Sequence, residues 1–414
     1  MRRVVITGLG AVTPIGNDVS TFWANLVKGK SGAALISKYD TTNHKTKFAC
    51  ELKNFDPLQC IEKQEVRKLD LFSQYALVAA DECMRDSGIN LENCDRNRIG
   101  VIIATGIGGM QTFEEEILSF GKNVQNPRLS PFFITKLIPN IAAGHISIKY
   151  GLHGVSYSIA SACASSNNAI GSALDSIRLG RADIILAGGA EAPITQASMG
   201  GFNSIKALST LNDSPETASR PFDKDRDGFV AGEGAGILMI EEYEHALKRG
   251  AKIYCELAGY GAASDAYHIV ATHPEGFGAV LAMQGALKDA GLSANEVSYI
   301  NAHATSTPVG DISECKAIEK VFQDSLNTIH VSATKSMTGH LLGAAGAIEA
   351  IACVKSIENS VIPPTINLGE IDATINAAIN VTPLKCVEKE VVVALNNTFG
   401  FGGHTSTTLY KKIK

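Results

Sequence analysis

The sequence predicts an α/β protein, on three observations. Short apolar runs bounded by glycine alternate with longer segments of helical period. One strand–helix–strand unit can be followed from Val155 to Leu186. Glycine reaches 39 of 414 residues, which suits many tight turns and close backbone approaches. In chain order, Arg3 to Thr7, Arg98 to Ala104 and Val155 to Ala160 read as strands. After the third, Ala169, Ile170, Ala173, Leu174 and Ile177 recur at helical spacing, Gly180 stops the helix, and Asp183 to Ala187 begins the next strand. A helix around Glu241 to Lys248 ends at Arg249-Gly250, a strand starts from Lys252, another runs from Val297 to Asn301, and Leu341 to Ile357 is helix-like. Segments 112–150 and 190–235, rich in Gly, Pro, Ser and Asn, read as insertions without a strong period.

The length corresponds to about 2.8 domains at about 150 residues each. The expected division is into residues 1–250 and 251–414. The two halves echo each other only weakly, Ile6 to Val12 (ITGLGAV) against Glu256 to Ala262 (ELAGYGA), too short a match to establish a repeat.

With 45% hydrophobic and 19% charged residues, the chain is neither a disordered polymer nor a highly charged coiled coil. A formal charge of −5, 6% aromatics and no Lys/Arg run longer than two argue against a nucleic-acid partner. No stretch of 18 apolar residues exists to span a bilayer, so no membrane partner is expected. Nine scattered cysteines with no Cys-x-x-Cys fit neither a disulfide framework nor a zinc ribbon, and point to a cytoplasmic setting.

Three motifs fail on inspection. Gly8-Leu9-Gly10 lacks the third glycine and the later acid of a dinucleotide fingerprint, and reads as a tight turn. Gly29-Lys30-Ser31 follows a helical segment and has Ala24 where a P-loop needs glycine. Asp223, Asp225, Asp227 and Gly228 begin like a calcium loop, but its twelfth position is Gly234 and Pro221 stands where a helix should enter.

The chemistry concentrates elsewhere. Cys163 lies in Ser161-Ala162-Cys163-Ala164-Ser165-Ser166, small residues that let a substrate approach, at the expected start of a helix whose N-terminus favours thiolate and oxyanion. The other eight cysteines read as small buried hydrophobes. His303 follows a strand, where open α/β sheets place ligands, and His340 directly precedes a helix-like run. The pair has no metal-ligand spacing. One thiol and two neutral imidazoles suit thioester chemistry: the thiol takes an acyl group, and the imidazole N–H groups hold an enolate oxygen after a malonyl thioester loses carbon dioxide. Phe399-Gly400-Phe401-Gly402-Gly403 offers backbone N–H groups and aromatic rings near a pocket.

Taken together, Val5-Ile6-Thr7-Gly8, Ser161-Ala162-Cys163, Arg220-Pro221-Phe222-Asp223, Gly232-Glu233-Gly234-Ala235, Asn301-Ala302-His303, Thr334-Lys335-Ser336 with Gly339-His340, and Phe399 to Gly403 resemble the β-ketoacyl-acyl-carrier-protein synthases, nearest the type II elongating form. The resemblance spans essentially the whole chain. It implies a thiolase-like fold of two βαβ-rich halves in α-β-α-β-α layers, a homodimer, and decarboxylative condensation of an acyl thioester with malonyl-acyl carrier protein in fatty-acid synthesis, without a cofactor or metal. It assigns the nucleophile to Cys163, the histidines to His303 and His340, a lysine to Lys335 and a supporting glutamate to Glu349. The oxyanion hole falls on the N–H groups of Cys163 and Phe401, with Phe401 also a gate. Ile107, Phe202, Phe399, Thr305 and Thr307 would line the substrate pocket, Arg67, Lys68 and Lys206 would dock the carrier, and the 223–228 loop would be structural. Ala304, Thr405 and the Val270 to His273 segment depart from the commoner pattern. A polyketide or aryl-polyene ketosynthase, or a non-catalytic chain-length partner, remain the alternatives.

Overall fold

The computed structural model describes residues 1–413. Among these, ten strands form one hydrogen-bonded sheet. They are β1 (Val4–Val12), β2 (Ile99–Ala104), β3 (Ser156–Tyr157), β4 (Ile184–Glu191), β5 (Gly234–Glu242), β6 (Cys255–Ser264), β7 (Tyr299–Asn301), β8 (His330–Ser332), β9 (Val393–Gly400) and β10 (His404–Lys411). The helices that pack on them include α1 (Leu71–Asp86), α2 (Ile141–Tyr150), α3 (Ser165–Arg178), α4 (Phe277–Ala290), α5 (Pro308–Phe322) and α6 (Ala345–Asn359).

The spatial order is β8-β7-β9-β10-β6-β1-β5-β4-β2-β3, and its halves match strand for strand. In each, the inner three strands are antiparallel and the outer three parallel. Within the sheet the halves are joined at two paired positions, Val5 opposite Glu256 and Ile6 opposite Cys255. The half-sheets then face each other across α3 and α6, whose apolar residues share one core with Ile6, Ile185, Leu257 and Ala394. Helices α1 and α2 cover the far face of the first half, and α4 and α5 that of the second. This is α-β-α-β-α layering. Helix α6 is apolar nearly all round because both of its sides are covered, as a central layer requires.

The weak Gly-x-Gly echo acquires a physical meaning here. Gly8 and Gly10 lie inside β1, not in the tight turn expected from sequence, and Gly259 and Gly261 lie inside β6. A Cβ on Gly10 would stand 1.9 Å from the Ala79 carbonyl oxygen of α1, and one on Gly261 would stand 2.1 Å from that of Ala282 in α4. Bare backbone lets each helix lie directly on its strand. The helices then supply acceptors that a neighbouring strand does not: Leu9 N donates to Asp86 and Ala11 N to Glu82, both at 2.8 Å, while Tyr260 N donates to Asp289 at 2.9 Å. Gly261→Ala is therefore expected to destabilise the protein by about 1–3 kcal/mol through overpacking, read as a lower urea midpoint.

Two further expectations are corrected. The 112–150 segment is largely helical, over Met110–Lys122, Phe133–Leu137 and α2, and Gln196–Ser204 is a helix within 190–235. Met110, Phe113, Ile117 and Phe120 do carry a helical period, but the surrounding polar residues and glycines mask it, and Phe113 and Ile117 are exposed in the single chain. The strand expected over Val155 to Ala160 contracts to two residues at the sheet edge.

Candidate active site

Cys163 stands between β3 and α3, two residues before the helix begins. The turn that presents it is held in an unfavourable conformation, with Ala162 at φ +50°. The Ser165 hydroxyl donates to the Ala162 carbonyl at 2.5 Å and accepts from Ser161 N at 2.8 Å, fastening the turn to the first helical residue. From the other half, Gly400 at the end of β9 presses against it, so closely that a Cβ would lie 2.9 Å from Cys163 N.

His340 occupies the matching corner of the second half, between β8 and α6. The matched halves face each other, so the two corners meet, and His340 Nε2 lies 3.0 Å from Cys163 Sγ. His303 follows β7, its ring centroid 5.3 Å from that of His340 and nearly perpendicular to it. Phe399 packs on His303 and Phe229 on His340, with centroids 5.5 and 5.3 Å away. Both imidazole Nδ1 atoms are buried without a protein partner. Burial first, then the charge of Lys335, holds both histidines well below the ordinary histidine range, so both rings are neutral at neutral pH.

The thiol corrects a sequence expectation. Burial pushes Cys163 up to about 12; Lys335 opposes this and Glu191 reinforces it. Desolvation outweighs the Lys335 charge and pushes toward the thiol, against the thiolate-favouring effect expected of the helix N-terminus. Attack then requires proton removal in the same event, and His340 Nε2 is in reach.

Lys335 and Glu349 form a buried ion pair, each side chain about 1% exposed. Burial raises the Glu349 carboxyl to about 7 against the pull of Lys335. Two acids that the sequence reading missed complete the scaffold. Glu314 of α5 accepts from His303 N at 2.9 Å, Ala304 N at 2.7 Å and Asn397 Nδ2 at 3.1 Å, and burial raises it to about 7. Glu191, at the end of β4, accepts from Thr105, Gly106, Ile107 and Gly343. The available signal for Glu314 was an acid on the apolar face of a helix, in register with Ile318 and Phe322.

The other expected residues divide. Ile107 and Phe202 pack against the apolar cluster that contains Cys163, and Phe202 stacks edge-on to Phe229 at 5.4 Å. Thr305 and Thr307 follow His303 with hydroxyls 3.1 Å apart, and Arg226 Nε donates to the Thr307 carbonyl. Phe401 is half-buried in the turn between β9 and β10, directly after the Gly400 that abuts Cys163. Lys206 is exposed beyond the helix that carries Phe202; Arg67 is exposed and Lys68 is paired with Glu65 at 2.6 Å. In the 223–228 loop, Asp223 accepts from the backbone of Asp225, Gly369 and Glu370, and Asp227 from Ser209 and Thr210, so these carboxylates are occupied by protein donors. Among the described residues no group of three His, Cys, Asp or Glu side chains is placed to hold a metal, and no helix is long and apolar enough to cross a membrane.

A buried thiol faced by two neutral imidazoles, on a body of this layering, defines a thiolase-like condensing enzyme of the acyltransferase class. The chain belongs to the beta-ketoacyl synthase family, whose N-terminal domain matches residues 1–246 and whose C-terminal domain matches residues 254–369. It is 47% identical over 416 aligned residues to 3-oxoacyl-[acyl-carrier-protein] synthase 2 of Staphylococcus aureus strain N315, covering 100% of this chain and 99% of that one. The Vibrio cholerae protein of the same name is 44% identical over the same coverage. Among solved structures, a beta-ketoacyl synthase from Burkholderia phymatum superposes with a TM-score of 0.91 at 33% identity, and the ketosynthase complex AntDE:AntF, a type II polyketide system with its acyl-carrier protein, with 0.92 at 36%; each comparison covers 100% of both chains.

Proposed function

We propose that this enzyme elongates acyl chains by two carbons in fatty-acid biosynthesis, with acyl and malonyl carrier proteins as its substrates. The Cys163 thiol attacks the acyl-carrier thioester; its proton passes through His340 to the departing carrier thiol, leaving the acyl group on sulfur. Malonyl carrier then enters. Its carboxylate–carbon bond breaks to release carbon dioxide, and the electron pair becomes an enolate whose oxygen accepts N–H bonds from His303 and from His340, the latter's ring proton having moved from Nδ1 to Nε2 by exchange with water once the sulfur is acylated. The enolate carbon attacks the acyl-enzyme carbonyl, the N–H groups of Cys163 and Phe401 hold the oxyanion, and collapse expels the Cys163 sulfur as thiolate, which takes up a proton from water to restore the thiol. The product is a 3-oxoacyl carrier.

The observation that carries this reading is the 3.0 Å approach of His340 Nε2 to Cys163 Sγ beside a second neutral imidazole. Lys335 and Glu349 set the charge around the site; Ile107, Phe202, Phe399, Thr305 and Thr307 shape the pocket; and Arg67, Lys68 and Lys206 receive the acidic carrier. The halves meet near residue 250. The protein acts in the cytoplasm as a homodimer, consistent with its free cysteines and with the exposed apolar Phe113, Ile117, Leu118 and Ile134 that a second copy would cover. Fatty-acid elongation is favoured over the polyketide alternative because the 47% relative bears the former name, while the polyketide complex reaches 36%.

The test is a product profile from malonyl carrier with acyl carriers of graded length, run on the wild type and on His303→Ala. The wild type is expected to return saturated-chain 3-oxo products two carbons longer. His303→Ala is expected to lose both condensation and malonyl decarboxylation, by about a hundredfold or more. Iterated polyketide products, or no elongation by the wild type, would overturn the reading.

A further inference from the structure

Glu191 is a carboxylate with no role in the mechanism above and, among the described residues, no Lys or Arg among the groups that shift it. Its side chain is fully buried, at 0% exposure. Four donors compensate its charge. Thr105 Oγ1 donates to Oε1 at 2.9 Å and Ile107 N to Oε1 at 3.1 Å, while Gly106 N donates to Oε2 at 2.6 Å and Gly343 N to Oε2 at 2.9 Å. The first three belong to the loop after β2, which carries the pocket residue Ile107. The fourth belongs to the other half of the molecule, three residues after His340. One carboxylate therefore bridges the substrate-pocket wall to the turn that presents a reacting imidazole.

The contact admits no slack. A Cβ on Gly343 would stand 2.3 Å from Gly106 N and 2.5 Å from Glu191 Oε2, and one on Gly106 would stand 2.9 Å from Glu191 Oε2. Glycine in both loops lets them meet backbone to backbone over the carboxylate. The turn it holds is strained, with Leu342 at φ +46°, and such a conformation persists only where its surroundings impose it. A buried anion with all its acceptors engaged is a rigid anchor, because every displacement of either loop uncovers charge in a dry interior.

We propose that Glu191 is a positioning residue for the condensation reaction, locking the Ile107 wall of the acyl pocket and the His340 turn into one register across the two halves. Its charge has a second consequence at the same place, since it opposes ionisation of Cys163 and so helps keep the resting sulfur a thiol.

The proposal rests on the proposed reaction, so the wild type is assayed first; failure of the wild type to elongate refutes that reaction, whereas the variants test only Glu191. The variants are Glu191→Gln, which removes the charge and turns amide hydrogens toward the N–H donors, and Thr105→Val, which removes one of the four donors and leaves the charge. Both are assayed at a temperature where circular dichroism shows them fully folded. For Glu191→Gln, kcat for condensation is expected to fall ten- to a hundredfold with KM for malonyl carrier little changed. Malonyl decarboxylation should fall in parallel, and the preference among acyl lengths should shift. The pH profile of Cys163 alkylation by iodoacetamide should move to lower pH in Glu191→Gln and stay in place in Thr105→Val. Wild-type kcat, acyl preference and alkylation profile in a folded Glu191→Gln overturn the proposal. If that variant does not fold, Thr105→Val decides it: a two- to tenfold fall in kcat at constant KM supports the role, and unchanged kinetics overturn it.

Discussion

Cys163→Ala is expected to lose condensation by about ten-thousandfold while still decarboxylating malonyl carrier. The two activities separate because they use different atoms. Acyl transfer needs the sulfur, whereas decarboxylation needs only the N–H donors that hold the enolate, and His303 and His340 are positioned by contacts that do not pass through sulfur: Glu314 holds the backbone at His303, and Val230 O accepts from His340 N at 2.7 Å. The 3.0 Å contact between His340 and Sγ disappears in the variant, but both rings stay neutral, since burial and Lys335 are the causes and neither changes. Carbon dioxide release from malonyl carrier, measured beside 3-oxoacyl product, checks the result. Intact elongation in Cys163→Ala would remove the thiol from the mechanism.

The second large effect is expected at the buried ion pair. Lys335→Ala leaves Glu349 buried opposite nothing, a change that costs about 3–5 kcal/mol for a buried pair, limited here because the Glu349 carboxyl takes up a proton instead. The chemistry should suffer more than the fold. Lys335 lowers both Cys163 and the two histidines, so its removal moves the thiol further up and lets the imidazoles protonate more readily as pH falls. The alkylation profile of Cys163 should shift to higher pH, the opposite of the shift expected for Glu191→Gln. Condensation should fall about a hundredfold or more. The double variant Lys335→Met/Glu349→Leu is expected to recover most of the melting temperature and none of the activity, because an apolar pair of similar volume replaces the ion pair in packing but not in charge. Recovery of activity in the double variant would show that the pair acts through packing alone.

The fold class and most strand positions were readable in the chain, and so were Cys163, His303 and His340 as the candidate residues that the structure brings together, because each rests on local information: period, stop residues, and a thiol or imidazole at the end of an element. The β3–α3 unit around Cys163 is the clearest case, with its helix period and Gly180 stop both found where expected. Glycine in β1 was misread because Gly-x-Gly signals a turn locally, and only the α1 backbone lying on the strand shows why bare residues are needed there.

What the chain could not declare depends on which residues meet across the two halves. Cys163 and His340 are 177 residues apart in sequence and 3.0 Å apart in space, because matching corners of two facing half-sheets are brought together. The thiol is pushed in opposite directions in the two views: a helix N-terminus favours thiolate, whereas desolvation of the buried Cys163, a property of the packed interior, raises it. Glu191 and Glu314 look like ordinary acids in sequence, and become anchors only where burial makes each hydrogen bond to them obligatory. The sequence by itself thus determined the architecture and the candidate groups; the tertiary structure decided which of them meet, the direction in which burial pushes their protonation, and the carboxylates that hold them, since the last two follow from the removal of water.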